Sequence, residues 1–171
     1  MTASRAKTVP AIGFLTVCEH AELGLFGGYL VLNAAGRPLE FHCTAPVKPS
    51  RTQEILYGPQ LKPFLYGEQI GQTLLAKAKA QPLLVCTDQA SVLAAREFSE
   101  MPMIFVGQSG RLLVEFDLGR NRVAVLPQHS GDQQSVIDRW RPHADHFDLL
   151  EPFCRIREAL EEAQRSVRAA A

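Results

Sequence analysis

Runs of apolar residues, some continuous and some alternating with polar ones, divide the first part of the chain into short strands. Apolar residues dominate residues 11–19 and 28–33, and residues 39–44 alternate between apolar and polar side chains. A glycine-rich turn at residues 24–28 and a tight turn at residues 34–37 separate the three runs. Strands this close in sequence pair through short turns, so the pattern predicts a three-stranded antiparallel meander.

The middle of the chain combines helical spacing with two apolar runs. We predict a helix over residues 60–80 and a shorter one over residues 91–99. The apolar runs at residues 82–87 and 101–106 are typical of buried strands. Because strands that alternate with helices pair through crossovers, we predict parallel pairing in this part of the sheet.

Two more elements are predicted after residue 106. Residues 111–126 alternate on both sides of a turn at residues 119–121, which predicts an added β-hairpin. Residues 127–147 are polar and rich in histidine, and no element is predicted there. Apolar residues three and four apart over residues 149–168 predict a C-terminal amphipathic helix. The expected fold is therefore α/β: a mixed five-stranded sheet, a meander and then parallel strands, with the hairpin and the C-terminal helix added.

Composition adds bounds on the class of protein. The 171 residues are 46% hydrophobic and 21% charged, as in a single globular domain. We expect residues 1–9 to be a disordered tail and residues 10–171 to be one domain. No signal peptide and no apolar run of about 20 residues is visible, so we expect a cytoplasmic protein that does not enter a membrane. The 18 Lys and Arg balance 18 Asp and Glu, and this zero net charge argues against sequence-independent binding to a polyanion.

Short motifs along the chain resemble those of ribonuclease H. In that family an acid on the first strand precedes a glycine-rich turn and a strand that begins Gly-Gly-Tyr, and a later strand ends in Thr-Asp. The corresponding motifs here are Thr16-Val17-Cys18-Glu19, Gly24 to Leu30, Gly36 to Phe41, Thr87-Asp88-Gln89 with Val92-Leu93, and His129-Ser130-Gly131 leading to Asp138. The resemblance covers about residues 12–106 and implies a ribonuclease H-like fold.

The resemblance also implies a metal site that would act on nucleic acid. Phosphodiester hydrolysis by two metal ions needs oxygen ligands that converge on Mg²⁺ or Mn²⁺ ions about 3.5–4 Å apart. The implied ligands are Glu19, Glu68 and Asp88, with Asp138 as a fourth. His129 would lie on a mobile loop and would shuttle a proton or assist product release.

Glu68 has support from the predicted helix itself. At about 100° per residue it falls in the middle of the expected core stripe, which comprises Leu61, Phe64, Leu65, Gln72 and Leu75. A carboxylate in that position needs a reason, such as a bound metal. Glu54 competes with Glu68 for this role, and the first-strand acid is Glu19 where the family has aspartate.

Each of these residues also has a structural interpretation. Glu19 would be a solvent-facing residue at a strand end, Glu68 a helix-surface residue, and Asp88 a helix cap. His129 would lie in a surface loop. On balance we predict a non-catalytic binding or assembly protein on a ribonuclease H-like scaffold, with residues 46–63 as a protein interface. The alternative is a metal-dependent phosphodiesterase that acts on nucleic acid.

The cysteines and histidines allow a second kind of metal site. Three of the four cysteines, Cys18, Cys43 and Cys86, lie in predicted strands and are expected to be buried, reduced thiols. Together with His20 and His42 they have the soft donors that zinc prefers, although the spacing matches no structural zinc pattern. The polar cluster from His143 through His146 to Asp148 is expected to be a solvated linker.

Overall fold

Seven strands form one mixed sheet in the computed structural model, which describes residues 10–145 and 147–170. The expected tail at residues 1–9 lies outside the described residues. The sheet order is β3-β2-β1-β4-β5-β7-β6. The strands are β1 (Ala11–His20), β2 (Gly24–Asn33), β3 (Pro38–Cys43), β4 (Val85–Thr87), β5 (Met103–Val106), β6 (Val114–Leu118) and β7 (Asn121–Val125). The predicted α/β class is confirmed.

The antiparallel meander is present, but the glycine-rich segment at residues 24–28 is part of β2 and not a turn. A Cβ atom on Gly27 would lie 2.2 Å from Ile70 Cγ2, and one on Gly28 would lie 2.4 Å from Ile156 Cγ2. The prediction of a turn was wrong because these glycines serve packing. They let a helix lie directly against β2 on each face of the sheet.

The second half of the sheet is parallel and then antiparallel. β4 pairs in parallel with β1 and with β5, as predicted. β7 pairs antiparallel with β5, and β6 pairs with β7. The predicted hairpin therefore extends the sheet from five to seven strands, because β5 still has a free edge for β7 to join.

Within the described residues, four helices and three 3₁₀ segments complete the fold. The helices are α1 (Arg51–Tyr57), α2 (residues 61–77), α3 (Gly131–Ala144) and α4 (Glu151–Ala169). The 3₁₀ segments are Gly58–Gln60, Ala90–Phe98 and Pro127–His129. α4 has the predicted apolar stripe, with Phe153, Ile156 and Leu160 buried.

The core-facing side of α2 differs from the predicted stripe. Its middle, Phe64–Gly71, is a π-helix, and its buried residues are Leu65, Tyr66, Gly67, Ile70, Gly71 and Leu74. Hydrogen bonds from residue i to i+5 widen the turn, so a wheel at the α-helical period assigns the faces incorrectly. Glu68 is exposed on α2, and the expectation that it lies among core residues was wrong.

Helix α3 lies where no element was predicted. Val136, Trp140 and Ala144 are buried, and the row begins with the buried carboxylate Asp132. One buried residue per turn makes a narrower apolar stripe than most surface helices have. In a segment that is otherwise polar, so narrow a stripe did not indicate a helix. His143 belongs to this helix and Phe147 is buried, so the expected solvated linker is wrong for these residues. His146 lies outside the described residues.

The helices cover both faces of the sheet. α3 and α4 enclose a core with Phe14, Leu30 and Ile104. α2 and the 3₁₀ helix Ala90–Phe98 enclose a second core with Leu15 and Val85. Among the described residues, no helix is both long enough and apolar enough to cross a bilayer.

Candidate functional site

Asp88 directly follows the carboxyl end of β4, the end at which open α/β sheets bind ligands. The parallel pairing of β1 and β4 covers only Gly13↔Val85 and Phe14↔Cys86. Beyond it, the Gln89 side-chain amide accepts from Val17 N at 2.8 Å and donates to Val17 O at 2.7 Å. The Gln89 side chain thus takes the place of a backbone peptide group in the hydrogen-bond ladder between β1 and β4, and it holds Asp88 beside β1.

The Asp88 carboxylate is already engaged by the protein. Thr16 Oγ1 donates to Asp88 Oδ1 at 2.7 Å, and Arg157 of α4 donates to Asp88 Oδ2. Burial alone lowers the pKa of Arg157, but its hydrogen bond to Asp88 and the charge of that carboxylate outweigh burial and raise the pKa. A guanidinium therefore lies where a metal ion would have to bind.

Sequence reasoning overlooked Arg157. It is four residues after Phe153 and three before Leu160, both of which are buried. Residues at these spacings share a helix face, so an arginine there is directed toward the sheet. The spacing alone could have placed Arg157 on the buried face of α4, but it does not identify Asp88 as the partner of Arg157.

The thiol of Cys18 lies beside this ion pair. A cavity of about 350 Å³ adjoins it, lined by Cys18, Glu19, His20, Arg157 and Glu161 among others. Burial raises the pKa of Cys18, and the positive charge of Arg157 only partly opposes the shift. The thiol is therefore protonated near neutral pH and does not have the character of a catalytic nucleophile.

Glu19 lies on the opposite face of the sheet from the Asp88 carboxylate. Along β1, Phe14 belongs to the core under α4, whereas Leu15 and Val17 belong to the core under α2. Side chains alternate between the faces, so Thr16 is directed toward α4 and Glu19 toward α2. The structure does not bring Glu19 and Asp88 together on one face.

His129 and Asp138 also have separate partners. His129 Nε2 lies 3.0 Å from Glu97 Oε1, and Gln134 Nε2 donates to Asp138 Oδ1 at 2.7 Å. Asp138 lies on α3, which packs against β6 and β7 at the far end of the sheet from β1. Neither residue is positioned to join Asp88.

The donors present do not fit the metal sites considered. Across residues 10–145 and 147–170, no three His, Cys, Asp or Glu side chains form a group that could hold a metal ion. The acids implied by the resemblance are divided between two faces and two ends of the sheet, and Asp88 is paired. We therefore assign no chemical step to a metal.

The cysteines are only partly where the strand pattern placed them. All four are free; Cys86 is buried and Cys18 is half-buried. Cys43 is exposed, contrary to expectation, because β3 is the edge strand and α4 packs mainly on β1 and β2. The fourth cysteine, Cys154, is also exposed.

Helix α1 forms an exposed surface within the segment predicted to be an interface. None of its residues is buried, and the side chains of Ile55 and Leu56 are 64% and 78% exposed. Ser50 Oγ accepts from Gln53 N at 3.1 Å, and Gln53 Oε1 accepts from Ser50 N at 3.0 Å. This capping box stabilises the start of the helix locally.

A cleft of about 410 Å³ adjoins α1. It is lined by Glu19, Glu54, Lys62 and Tyr66 together with apolar residues of β2 and α2. The Lys62 ammonium lies 5.2 Å from the centroid of the Tyr66 ring. The structure therefore brings Glu19 and Glu54 together at this cleft, and Glu19 also borders the cavity beside Arg157.

An aromatic contact fixes the end of α1 next to this cleft. The rings of Tyr57 and Phe64 are stacked, with centroids 4.2 Å apart and planes inclined by 15°. The contact connects the last residue of α1 to the π-helical part of α2. We name the surface formed by α1 and the cleft the α1 surface.

Comparison with known proteins gives only remote similarity. No family model and no curated protein matches the chain. Among solved structures, the chain is similar to human endonuclease V, with 12% identity, coverage of 92% of this chain and 87% of that chain, and a TM-score of 0.46.

Endonuclease V from Ciona intestinalis, in complex with a 23mer DNA containing an inosine followed by a ribo-adenosine, has 10% identity. That similarity covers 71% of this chain and 72% of that chain, with a TM-score of 0.43. Similarity of this extent assigns no activity to the chain, and the membership of the ribonuclease H-like superfamily stays a prediction.

Proposed function

We propose that the protein is a non-catalytic binding protein on a ribonuclease H-like scaffold and that its α1 surface binds a polypeptide. The observation that carries the proposal is the exposure of Ile55 and Leu56 on a locally capped helix. Burial of such a side chain is worth about 1.5–3 kcal/mol, and the fold leaves that free energy unused. A partner with a complementary apolar side chain would gain it.

The charges of the α1 surface favour a polypeptide over a nucleic acid. Two carboxylates, Glu19 and Glu54, line the cleft with one ammonium, Lys62, and the Arg51 guanidinium of α1 pairs with Glu54 at 3.0 Å. The charges of this surface are therefore balanced, whereas affinity for nucleic acid depends on an excess of Lys and Arg in contact with phosphates. A segment with an apolar side chain next to a lysine or arginine matches both parts of the surface.

We expect the change Leu56→Glu to weaken binding by at least about 30-fold, the effect of losing a hot-spot contact. A random-peptide display library selected on the protein supplies the probe. The enriched peptides, expected to combine apolar and basic residues, are then titrated by calorimetry. Leu112→Glu is the matched control, because Leu112 is equally apolar and 86% exposed but lies just before β6. Equal affinity for the Leu56→Glu variant would contradict the assignment of the surface.

Hydrolysis of nucleic acid by the residues Glu19, Glu68, Asp88, Asp138 and His129 is the alternative. One observation favours it: Asp88 lies at the carboxyl end of a central parallel strand. For this alternative to hold, the Arg157 guanidinium would have to leave Asp88 so that Mg²⁺ or Mn²⁺ could bind.

We expect no Mn²⁺-dependent cleavage of labelled RNA, DNA or hybrid duplexes by the wild-type protein or by the variant Arg157→Met. The reason is that the acids lie on two faces of the sheet, and removal of the guanidinium does not bring them together. Cleavage that requires Mn²⁺ and is lost in Asp88→Asn would establish the alternative and overturn the non-catalytic proposal.

A further inference from the structure

The last turns of α4 form one wall of a groove on the surface of the sheet. Near its middle the helix lies directly on β2: a Cβ atom on Gly28 would be 2.4 Å from Ile156 Cγ2 and 3.3 Å from Leu160 Cδ1. Phe26 lies two residues earlier on the same face of β2, and its large side chain separates the following turns of α4 from the strand. A groove of about 430 Å³ opens between them.

The opposite wall of the groove consists of residues 43–46, at the end of β3 and just after it. Thr44 N donates to Gly27 O at 3.1 Å, and Gly27 N donates to Thr44 Oγ1 at 2.9 Å. Directly after this wall, Val47 and Leu25 exchange two backbone hydrogen bonds of 2.8 Å. Hydrogen bonds to β2 therefore hold the wall in place, so the groove is formed before any ligand binds, as small-molecule sites usually are.

The lining of the groove is apolar and uncharged. Within the described residues it includes no Asp, Glu, Lys, Arg or His, and its only polar side chains are those of Thr44 and Gln164. The Thr44 hydroxyl already accepts from Gly27 N. An ion or a strongly polar molecule would lose its hydration there and gain few hydrogen bonds. The floor and the α4 wall instead offer the apolar side chains of Phe26, Leu160, Ala163 and Val167.

One end of the groove is polar. Leu160 and Gln164 line both the groove and the cavity of about 350 Å³ beside Arg157, so the two spaces adjoin. That cavity is lined by the Arg157 guanidinium and by two acidic residues, Glu19 and Glu161. A head group of either charge would therefore lie near a like charge. An uncharged polar group meets no such repulsion and can stay hydrated in the cavity.

The size of the groove favours a small molecule over a protein partner. Its volume of about 430 Å³ lies in the range of about 300–1,000 Å³ that is usual for small-molecule sites. The lining residues come from three short segments, within residues 23–26, 43–46 and 160–167. Each partner in a stable protein interface contributes roughly 20–30 residues, more than these segments hold.

We infer that the groove binds the alkyl chain of a small uncharged amphiphile, such as a medium-chain alcohol. The chain lies between the two walls, on Phe26 and Leu160, and the hydroxyl group lies beside Gln164, where the groove meets the polar cavity. This site is on the α4 side of the sheet, whereas the α1 surface is next to α2. The inference is therefore independent of the proposed function.

A series of alcohols tests the class of ligand. In calorimetric titrations with hexanol, octanol and decanol, we expect the affinity to rise about fourfold for each added methylene, the effect of burying it. Decanoate and decylamine should bind more weakly than decanol. Absence of binding, or an affinity that does not depend on chain length, would overturn the inference. Tighter binding of decanoate or decylamine would assign a charged ligand and would also overturn it.

The native cysteines test the location. Cys43 and Cys154 are both exposed, but only Cys43 lines the groove. We expect saturating decanol to abolish most of the alkylation of Cys43 by iodoacetamide, followed by mass spectrometry, and to leave that of Cys154 unchanged. Equal alkylation of Cys43 with and without bound decanol would place the ligand elsewhere. Protection of Cys43 that requires no ligand and grows with protein concentration would assign the groove to a second copy of the chain. Either result would overturn the inference.

A matched pair of variants on α4 completes the test. Ala163→Glu places a carboxylate in the groove, and we expect it to weaken decanol binding by at least about tenfold. Ser166→Glu adds the same group to an exposed position of the same helix that does not line the groove, and it should bind decanol like the wild type. Circular dichroism and the Tm of each variant check that the fold is retained. Equal affinities of the two folded variants would reject the groove as the site.

Discussion

Replacement of Arg96 by methionine is expected to lower the free energy of unfolding by about 3–5 kcal/mol, the cost of removing one partner of a buried ion pair. Arg96 Nε and Nη2 donate to the two oxygens of Asp132 at 2.9 and 3.1 Å. The side chains are 17% and 7% exposed. Methionine keeps most of the apolar length of the side chain and removes the charge, so a buried carboxylate is left with little compensation.

The pair connects the two helical layers, which explains the size of the effect. Arg96 belongs to the 3₁₀ helix on one face of the sheet, and Asp132 lies in the first turn of α3 on the other. Asp132 Oδ2 also accepts from Met103 N of β5 at 3.3 Å, and Arg96 Nη1 donates to Ser99 O at 2.6 Å. Loss of the guanidinium therefore weakens the connection between both layers and the start of β5.

Urea unfolding followed by circular dichroism measures this change. Arg51→Met is the matched control: Arg51 makes an exposed pair with Glu54 at 3.0 Å, and such pairs contribute less than about 1 kcal/mol. The double change Arg96→Met with Asp132→Asn should recover part of the loss, because the buried charge is gone. A loss below about 1 kcal/mol for Arg96→Met would show that the carboxylate finds another partner.

Replacement of Arg157 by methionine is expected to lower the free energy of unfolding by about 1.5–2 kcal/mol. This is the lower part of the range for hydrogen bonds between charged groups, because the Arg157 side chain is 41% exposed and water screens it. Asp88 is only 15% exposed and would keep the Thr16 hydroxyl as its partner. The cost comes from this carboxylate, now without its countercharge.

Chemical unfolding of Arg157→Met and Arg165→Met gives the comparison. Arg165 lies on the same helix and is 73% exposed, with carboxylates at 3.8 and 4.0 Å. Its replacement should change stability by no more than about 0.5 kcal/mol. Equal effects for the two arginines would mean that the pair with Asp88 does not stabilise the fold, and would leave Asp88 available for another ligand.

Most of the fold could be predicted from local pattern, and the failures have physical causes. The meander, the parallel strands and α4 were predicted because their apolar periods match the elements that form. The glycines of β2 were assigned to a turn because glycine occurs both in turns and where a neighbouring element packs closely against the backbone. The sequence does not distinguish the two cases. α3 was not predicted because its buried row includes a carboxylate, Asp132, whose partner Arg96 is 36 residues away.

The candidate site was less predictable than the fold. The positions of Glu19 and Asp88 at strand ends were correct, but which face a side chain takes depends on how the strand meets its helices. Glu68 was assigned to the core because its helix was expected to keep one period throughout. Its π-helical segment, Phe64–Gly71, changes that period where the helix packs on β2 and on the 3₁₀ helix.

The sequence by itself determined the class of the protein: an α/β chain of balanced charge with an acid at the end of a central strand. It also predicted a protein interface in residues 46–63, and this segment contains α1 with the partly or fully exposed side chains of its apolar residues. These properties follow from composition and short-range spacing, which the chain carries before it folds.

Only the tertiary structure decided that Asp88 pairs with Arg157, that Glu19 lies with Glu54, and that β3 has no neighbouring strand beyond it among the described residues. Each of these is a contact, or the lack of one, between segments far apart in sequence. Residues 88 and 157 are 69 positions apart, and their contact depends on the packing of α4 against β1 and β2. The local pattern of apolar residues contains no information about contacts at such separations in sequence. The packing of the helices on the sheet therefore determines which charged side chains remain free to bind.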